Sequence, residues 1–90
     1  MYERNTTVIN QSGLHARPAA IFVNEAKKYA SRITVRNLNT GRDADAKSML
    51  KILTLSMVRQ TPVCVRAEGE DEQQAVDSLI TLIDSGCGEG

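Results

Sequence analysis

The chain has 90 residues, 41% of them hydrophobic, and its 11 Lys and Arg balance its 11 Asp and Glu to a formal charge of zero. That length supports one domain with a single modest core, expected to span residues 1–90 with 86–90 as a mobile tail. The composition excludes a disordered chain and a nucleic-acid binder that works by bulk positive charge. No apolar run approaches the roughly 20 residues of a membrane span. The N-terminal Met1-Tyr2-Glu3-Arg4-Asn5-Thr6-Thr7 lacks the apolar core of a secretion signal, so the expectation is a cytoplasmic protein.

Residues 2–10 are the least legible stretch. Thr6 and Val8 are placed on the inner side of a strand, chiefly because the other strands need a partner. Ser12-Gly13 is a turn signal. A helix is then expected over 16–30, with Ala19, Phe22, Val23, Ala26 and Ala30 recurring at the helical period as its buried stripe. Asn24, Glu25, Lys27 and Lys28 face water in that reading. Ile33 and Val35 alternate with Thr34 and Arg36, the pattern of a half-buried strand. Residues 37–41 form a turn cluster, and Ala44 and Ala46 continue the period of two after it, which makes a hairpin. Ser48 opens a short helix carrying Met49, Leu50, Ile52, Leu53 and Leu55. Arg59, Gln60 and Thr61 form a loop. Val63, Val65 and Ala67 point inward from another strand, which Gly69 ends. Asp71 followed by Gln74 resembles a capping box. The last helix buries Val76, Leu79, Ile80 and Ile83, and Gly86, Gly88 and Gly90 end it.

The order is therefore βαββαβα. Helices on one face of an antiparallel sheet give an α+β two-layer domain, an open-faced sandwich of four strands and three helices. Cys64 and Cys87 show no metal-ligand spacing. Both are read as free thiols, Cys64 on the sheet face opposite the core and Cys87 in the glycine-rich tail. One histidine and two distant cysteines supply no ligand set, so no metal is expected.

The chemistry concentrates at His15, the one histidine, between the Ser12-Gly13 turn and the first helix. A helix N-terminus presents unpaired N–H groups and a partial positive charge, so it favours anions. Arg17 offers a planar fork of donors to the same oxygens. Pro18 is tolerated in the first turn because its missing N–H would have no helical acceptor. From position alone, an ordinary surface residue or N-cap before a helix is the commoner role of such a histidine. The string Gly13-Leu14-His15-Ala16-Arg17-Pro18-Ala19-Ala20 changes that weighting. It resembles, without gaps, the active-site signature of the HPr family, the histidine phosphocarriers of the bacterial sugar phosphotransferase system. The element order matches that family over nearly the whole chain.

The resemblance implies a carrier and not an enzyme. His15 would accept a phosphoryl group from enzyme I through its ring Nδ1 and pass it to the IIA components of sugar permeases. Arg17, the backbone N–H groups of Ala16 and Arg17, and the Ser12 hydroxyl would steady the phosphoryl group, with no cofactor. Docking of both partners is implied on the helix after Ser48, through Met49, Leu50 and Leu53, with Lys27 and Lys51 as a basic rim. That helix is apolar nearly all round, so part of it is expected to stay exposed.

Lys47-Ser48 is the second family landmark, aligned once two extra residues are allowed in the 37–41 turn. The resemblance implies regulatory phosphorylation of Ser48 by a serine kinase, with a matching phosphorylase and a catabolite regulator as further partners. A helix-capping serine is the commoner role of such a residue. The chain also departs from the family here, with Lys51 and Ser56 where glycines are common. Two alternatives share the fold: a regulatory homologue that keeps the serine and lacks the histidine, and a carrier of the nitrogen-related branch. The presence of His15 counts against the first, and Lys47-Ser48 leans against the second.

Overall fold

The computed structural model of the chain describes residues 1–88. Its elements are β1 (Tyr2–Thr7), α1 (Arg17–Ala26), β2 (Arg32–Asn37), β3 (Arg42–Asp45), α2 (Met49–Thr54), β4 (Pro62–Glu68) and α3 (Glu72–Asp84). The strands form one antiparallel sheet in the order β1-β4-β2-β3. The two strands with the strongest alternation of apolar residues, β2 and β4, take the centre. There Ile33, Val35, Val63, Val65 and Ala67 are buried toward the helices. The weakly patterned β1 and the short β3 take the edges, where less apolar surface is needed.

The helices cover one face. Phe22, Val23 and Ala26 of α1 and Val76, Leu79, Ile80 and Ile83 of α3 join the central strands in one core. α3 lies along β1 and β4, while α2 sits beside α1 and β3. α1 stops at Ala26, four residues before the expected end, and Ala30 is exposed. Two competing interactions end it. Lys47 donates its Nζ to the Tyr29 carbonyl at 2.6 Å, and Asp71 accepts from the backbone N–H of Ala30 at 2.9 Å and of Ser31 at 3.0 Å. Both partners come from distant sequence, so the helical period alone could not mark the boundary.

Asp71 corrects a second expectation. It precedes α3, but its side chain makes no cap bond to that helix. It holds the Ala30–Ser31 turn instead, adding a hydrogen bond from the Ser31 hydroxyl. Glu72 reaches back to the Gly69 N–H at 3.1 Å in place of the expected Gln74. Glu25 is likewise no plain solvent-facing residue. It accepts from Ser78 Oγ at 2.7 Å and pairs with Lys28 at 2.9 Å, tying α1 to α3.

The expected tail at 86–90 is also corrected. Gly86 has φ +75°, the Gly86 N–H donates to the Ile83 carbonyl at 3.0 Å, and the Cys87 N–H donates to the Leu82 carbonyl at 2.8 Å. This pair of bonds is a Schellman cap, and the residue after its glycine packs inward. Cys87 is fully buried in the core, and Gly86 is buried with it. Gly88 is exposed, and 89–90 lie outside the described residues. Cys64 does lie on the open face of the sheet, between Asn5 and Arg36 on the neighbouring strands. It is nevertheless only 6% exposed, because it occupies a central strand and its neighbours' long side chains cover it. Burial pushes its thiol above the ordinary value, which suppresses the reactive thiolate.

The Ser31 hydroxyl and the backbone N–H groups hold the Asp71 carboxyl below its ordinary value of 3.8. A carboxylate stabilised in this way contributes fully above 3.8, and the contribution is lost as pH falls through the lower folded value. Asp71→Asn is therefore expected to lower the urea midpoint at pH 7. The gap to the unsubstituted chain should begin to narrow as pH falls below 3.8 and close only below the lower folded value, where both side chains are neutral. Urea titrations at pH 7 and pH 3 measure this; a gap that stays constant would mean that the charge of Asp71 is not what holds the turn.

Candidate functional site

The segment carrying His15 hangs between β1 and α1 and is fixed from the far end of the chain. Val8 donates to the Thr61 carbonyl at 3.0 Å, and Gln60 donates to Val8 at 2.7 Å. Gly13 closes a turn onto the Asn10 carbonyl at 2.9 Å, and Leu14 donates to the Met57 carbonyl at 2.8 Å. Asn10 Nδ2 donates to the Gly86 carbonyl at 2.8 Å, which joins the loop to the cap of α3. Leu14 is buried, while His15 beside it is exposed. The Leu14 side chain in the core thus anchors a loop that holds the imidazole outward.

Glycine is required at position 13 on two grounds. Its φ is +75°, and a Cβ there would lie 2.3 Å from the Met57 carbonyl oxygen and 2.8 Å from Val58 Cα. The histidine loop and the 57–58 backbone touch with no room for a side chain. Gly13→Ala is expected to destabilise the fold by about 1–3 kcal/mol, from the strained φ and the backbone clash. It should also slow any reaction at His15. Thermal unfolding of the variant tests this, and an unchanged midpoint would show that the loop can lift off Met57 freely.

Ala16 is the N-cap of α1, at φ 51°, ψ −117°, with no side-chain cap bond. This conformation is unfavourable for an L residue, at about 1–3 kcal/mol, and persists only when its surroundings impose it. They do so here: the Leu14–Met57 bond fixes one side, and the first helical bond, Ala20 N–H to the Ala16 carbonyl at 3.0 Å, fixes the other. The N–H groups of Ala16, Arg17 and Ala19 lack acceptors within the helix, and Pro18 has no N–H. Three orphan donors and the positive end of α1 therefore surround the backbone next to His15.

Arg17 is exposed, and among the described residues it forms no ion pair. With Ser12 it lines an open cleft of about 800 Å³ bordered also by Asn10, Gln11, Ile21 and Arg59. Ser12 and Arg17 thus share a cleft, while His15 and Ala16, between them in sequence, are exposed and are not part of its lining. Asn10 and Arg59 are additions. Asn10 carried no sequence signal, and Arg59 read only as part of a loop. Their proximity depends on the clasp between residues 13–14 and 57–58.

The face next to α1 divides the apolar residues of α2. Ile52 and Leu55 are buried, Met49 is half-buried, and Leu50 and Leu53 are 74% and 36% exposed. Lys27 and Lys51 are both exposed. Ser48 is half-buried, and its Oγ accepts from the Lys51 N–H at 3.3 Å as the N-cap of α2. Ser56, where the family often has glycine, takes φ 51° just past the helix. That backbone requirement is why glycine suits the position. Among the described residues no group of three His, Cys, Asp or Glu side chains comes together to hold a metal, and no helix is long and apolar enough to cross a membrane.

The sequence profile described as "PTS HPr component phosphorylation site" matches residues 2–85. The chain is 48% identical over 83 residues to the phosphocarrier protein HPr of Haemophilus influenzae, covering 92% of this chain and 95% of that one. A crystal structure of HPr-C-His from Thermoanaerobacter tengcongensis superposes with a TM-score of 0.94 at 40% identity, over 100% of this chain and 99% of that one. The solution structure of Crh, the catabolite repression HPr of Bacillus subtilis, is more distant, with a TM-score of 0.65 at 31% identity over 91% and 95% of the two chains. Sequence, strand order and helix placement agree: the chain belongs to the HPr family and is a phosphocarrier of the phosphotransferase system.

Proposed function

We propose that His15 is the phosphoryl acceptor and donor of this carrier, receiving the group from phospho-enzyme I and passing it to the IIA components of sugar permeases. The observation that carries the reading is an exposed imidazole beside the N-terminus of α1 and an exposed Arg17 guanidinium that forms no ion pair among the described residues. A neutral imidazole has one ring nitrogen with a free electron pair. That nitrogen, taken as Nδ1, attacks phosphorus and forms the N–P bond while the donor's bond to phosphorus breaks, and the other ring nitrogen keeps its hydrogen. The transfer to a IIA component is the same exchange in the other direction. The N–H groups of Ala16 and Arg17, the Arg17 fork and the Ser12 hydroxyl support the phosphoryl oxygens, each exposed contact contributing about 0.3–1 kcal/mol. Modest contributions suit a group that must leave again. The chain is then a phosphorylated substrate of other proteins rather than an enzyme, needs no cofactor, and works in the cytoplasm.

Leu50, Leu53 and Met49 form the docking surface in this reading, with Lys27 and Lys51 at its rim. Exposed leucines on a short helix are unusual for a protein that works alone. Two successive partners must dock and leave, so the interface is expected to stay below about 1,200 Å², the size of transient encounters. Incubation of the full chain with phosphoenolpyruvate and enzyme I should add one acid-labile phosphoryl group, read by mass spectrometry, and His15→Ala should gain none. Arg17→Lys keeps the charge and loses the fork, so transfer should slow with the fold unchanged. If the unsubstituted chain gains no mass with a competent enzyme I, His15 is not the carrier residue.

Ser48 has a role in regulation in the same reading, as the target of a serine kinase and phosphorylase whose product engages a catabolite regulator. A phosphoryl group there adds about −1.5 to −2 charges beside the exposed leucines, and docking must then desolvate that charge. Ser48→Asp is expected to slow phosphorylation of His15 without unfolding the domain. Lys51, three residues on, offsets part of the added charge, so Ser48→Asp with Lys51→Gly should be slower still. Equal rates for all three proteins would leave Ser48 as a helix cap alone.

A further inference from the structure

We propose that Arg59 is a second phosphoryl-positioning guanidinium, acting with Arg17 on the group that His15 carries; the inference rests on the reading of His15 as the acceptor. Ser12, Arg17 and Arg59 line the same open cleft of about 800 Å³, although Arg59 lies far along the chain in the loop between α2 and β4. The lining does not include the imidazole itself; Ser12 and Arg17, which flank His15 in sequence, connect it to the cleft.

Arg59 is held there by backbone on both sides. Just before it, Met57 and Val58 are pressed against Gly13 and Leu14. Just after it, the Gln60 N–H donates to Val8 at 2.7 Å, and Thr61 closes the turn onto the Val58 carbonyl at 3.1 Å. Arg17 projects from the start of α1 and Arg59 from this turn, so two separate elements contribute to one cleft.

Charge is the second argument. Arg4, Arg36 and Arg66 are neutralised by Asp77, Asp43 and Glu3. Arg17 and Arg59 are exposed, form no ion pair among the described residues, and are the charged groups among the described residues lining the cleft. Two guanidinium groups sharing a cleft whose lining includes no carboxylate among the described residues repel each other, and an anion between them relieves that repulsion. A phosphoryl group has three peripheral oxygens, and one guanidinium fork takes two of them. Arg59 supplies donors for the third, from the loop between α2 and β4.

The test uses the full chain, Arg59→Gln and Arg59→Lys, each phosphorylated with phosphoenolpyruvate and enzyme I. Arg59 is exposed, so thermal unfolding should be unchanged in both variants. In Arg59→Gln, kcat for phosphorylation of His15 should fall about two- to five-fold, the scale of one exposed charge-assisted contact, with KM for enzyme I unaltered. The phosphohistidine ³¹P resonance should shift, and Arg59→Lys should restore part of the rate. A kcat and a ³¹P resonance equal to those of the unsubstituted chain would overturn the inference. So would a change in KM alone, which would place Arg59 against the partner protein instead of the phosphoryl group. Failure of the unsubstituted chain to become phosphorylated is a different result: it removes the His15 reading and this inference with it.

Discussion

The close approach of Gly13–Leu14 to Met57–Val58 holds the site together. One backbone hydrogen bond at 2.8 Å and one missing side chain bring the start of α1 against the loop after α2. The exposed position of His15 follows, because Leu14 is drawn into the core and its neighbour is turned outward. The strained Ala16 follows as well, caught between that bond and the first turn of the helix. The cleft follows too, since its two arginines come from the two sides of this contact. A loop carrying a reactive group would otherwise be free to sample many conformations, and ordering it at the moment of transfer would cost about 1–2 kcal/mol per residue. Holding it in advance removes that cost from each encounter.

Polar staples of long sequence separation do for the rest of the fold what apolar burial cannot do in a chain this small. Asp71 ties the start of α3 to the turn before β2, Glu25 ties α1 to α3, and Asp77 of α3 receives both Tyr2 and Arg4 of β1. All three carboxyls lie below their ordinary values, in each case chiefly because a side-chain hydroxyl donates to the charged form. These acids thus serve the architecture, while Arg17 and Arg59 form no ion pair among the described residues.

The same economy appears in α2. The six residues of α2 and its C-cap cannot bury five apolar side chains, and Ile52 and Leu55 go to the core while Leu50 and Leu53 remain outside. Ser48 at its start already has a structural task, accepting from Lys51. A modification there would act on a helix whose cap and exposed face lie within two turns of each other. Any regulatory effect would therefore pass through docking rather than through the stability of the core.

Local pattern alone determined a great deal here. The period of two in β2 and β4, the period of 3.6 in α1 and α3, and the hairpin at residues 37–41 are each written in adjacent residues, and each appears in the fold. The site string from Gly13 to Ala20 is contiguous, so His15, Ala16 and Arg17 were bound to lie together whatever the rest of the chain did. Features set by partners distant in sequence needed the tertiary structure. α1 ends early because Lys47 and Asp71 capture the backbone beyond it, and Asp71 looked like a helix cap because its true partners lie some forty positions away. Cys87 looked like part of a tail because a glycine-rich end resembles a linker until a Schellman turn folds it into the core. Arg59 looked like an ordinary loop residue for the same reason. Periodicity reports which face of an element is apolar; it carries no record of which distant backbone that element will meet, and those meetings decided where helices stop, that Cys87 is buried and which arginines share the cleft.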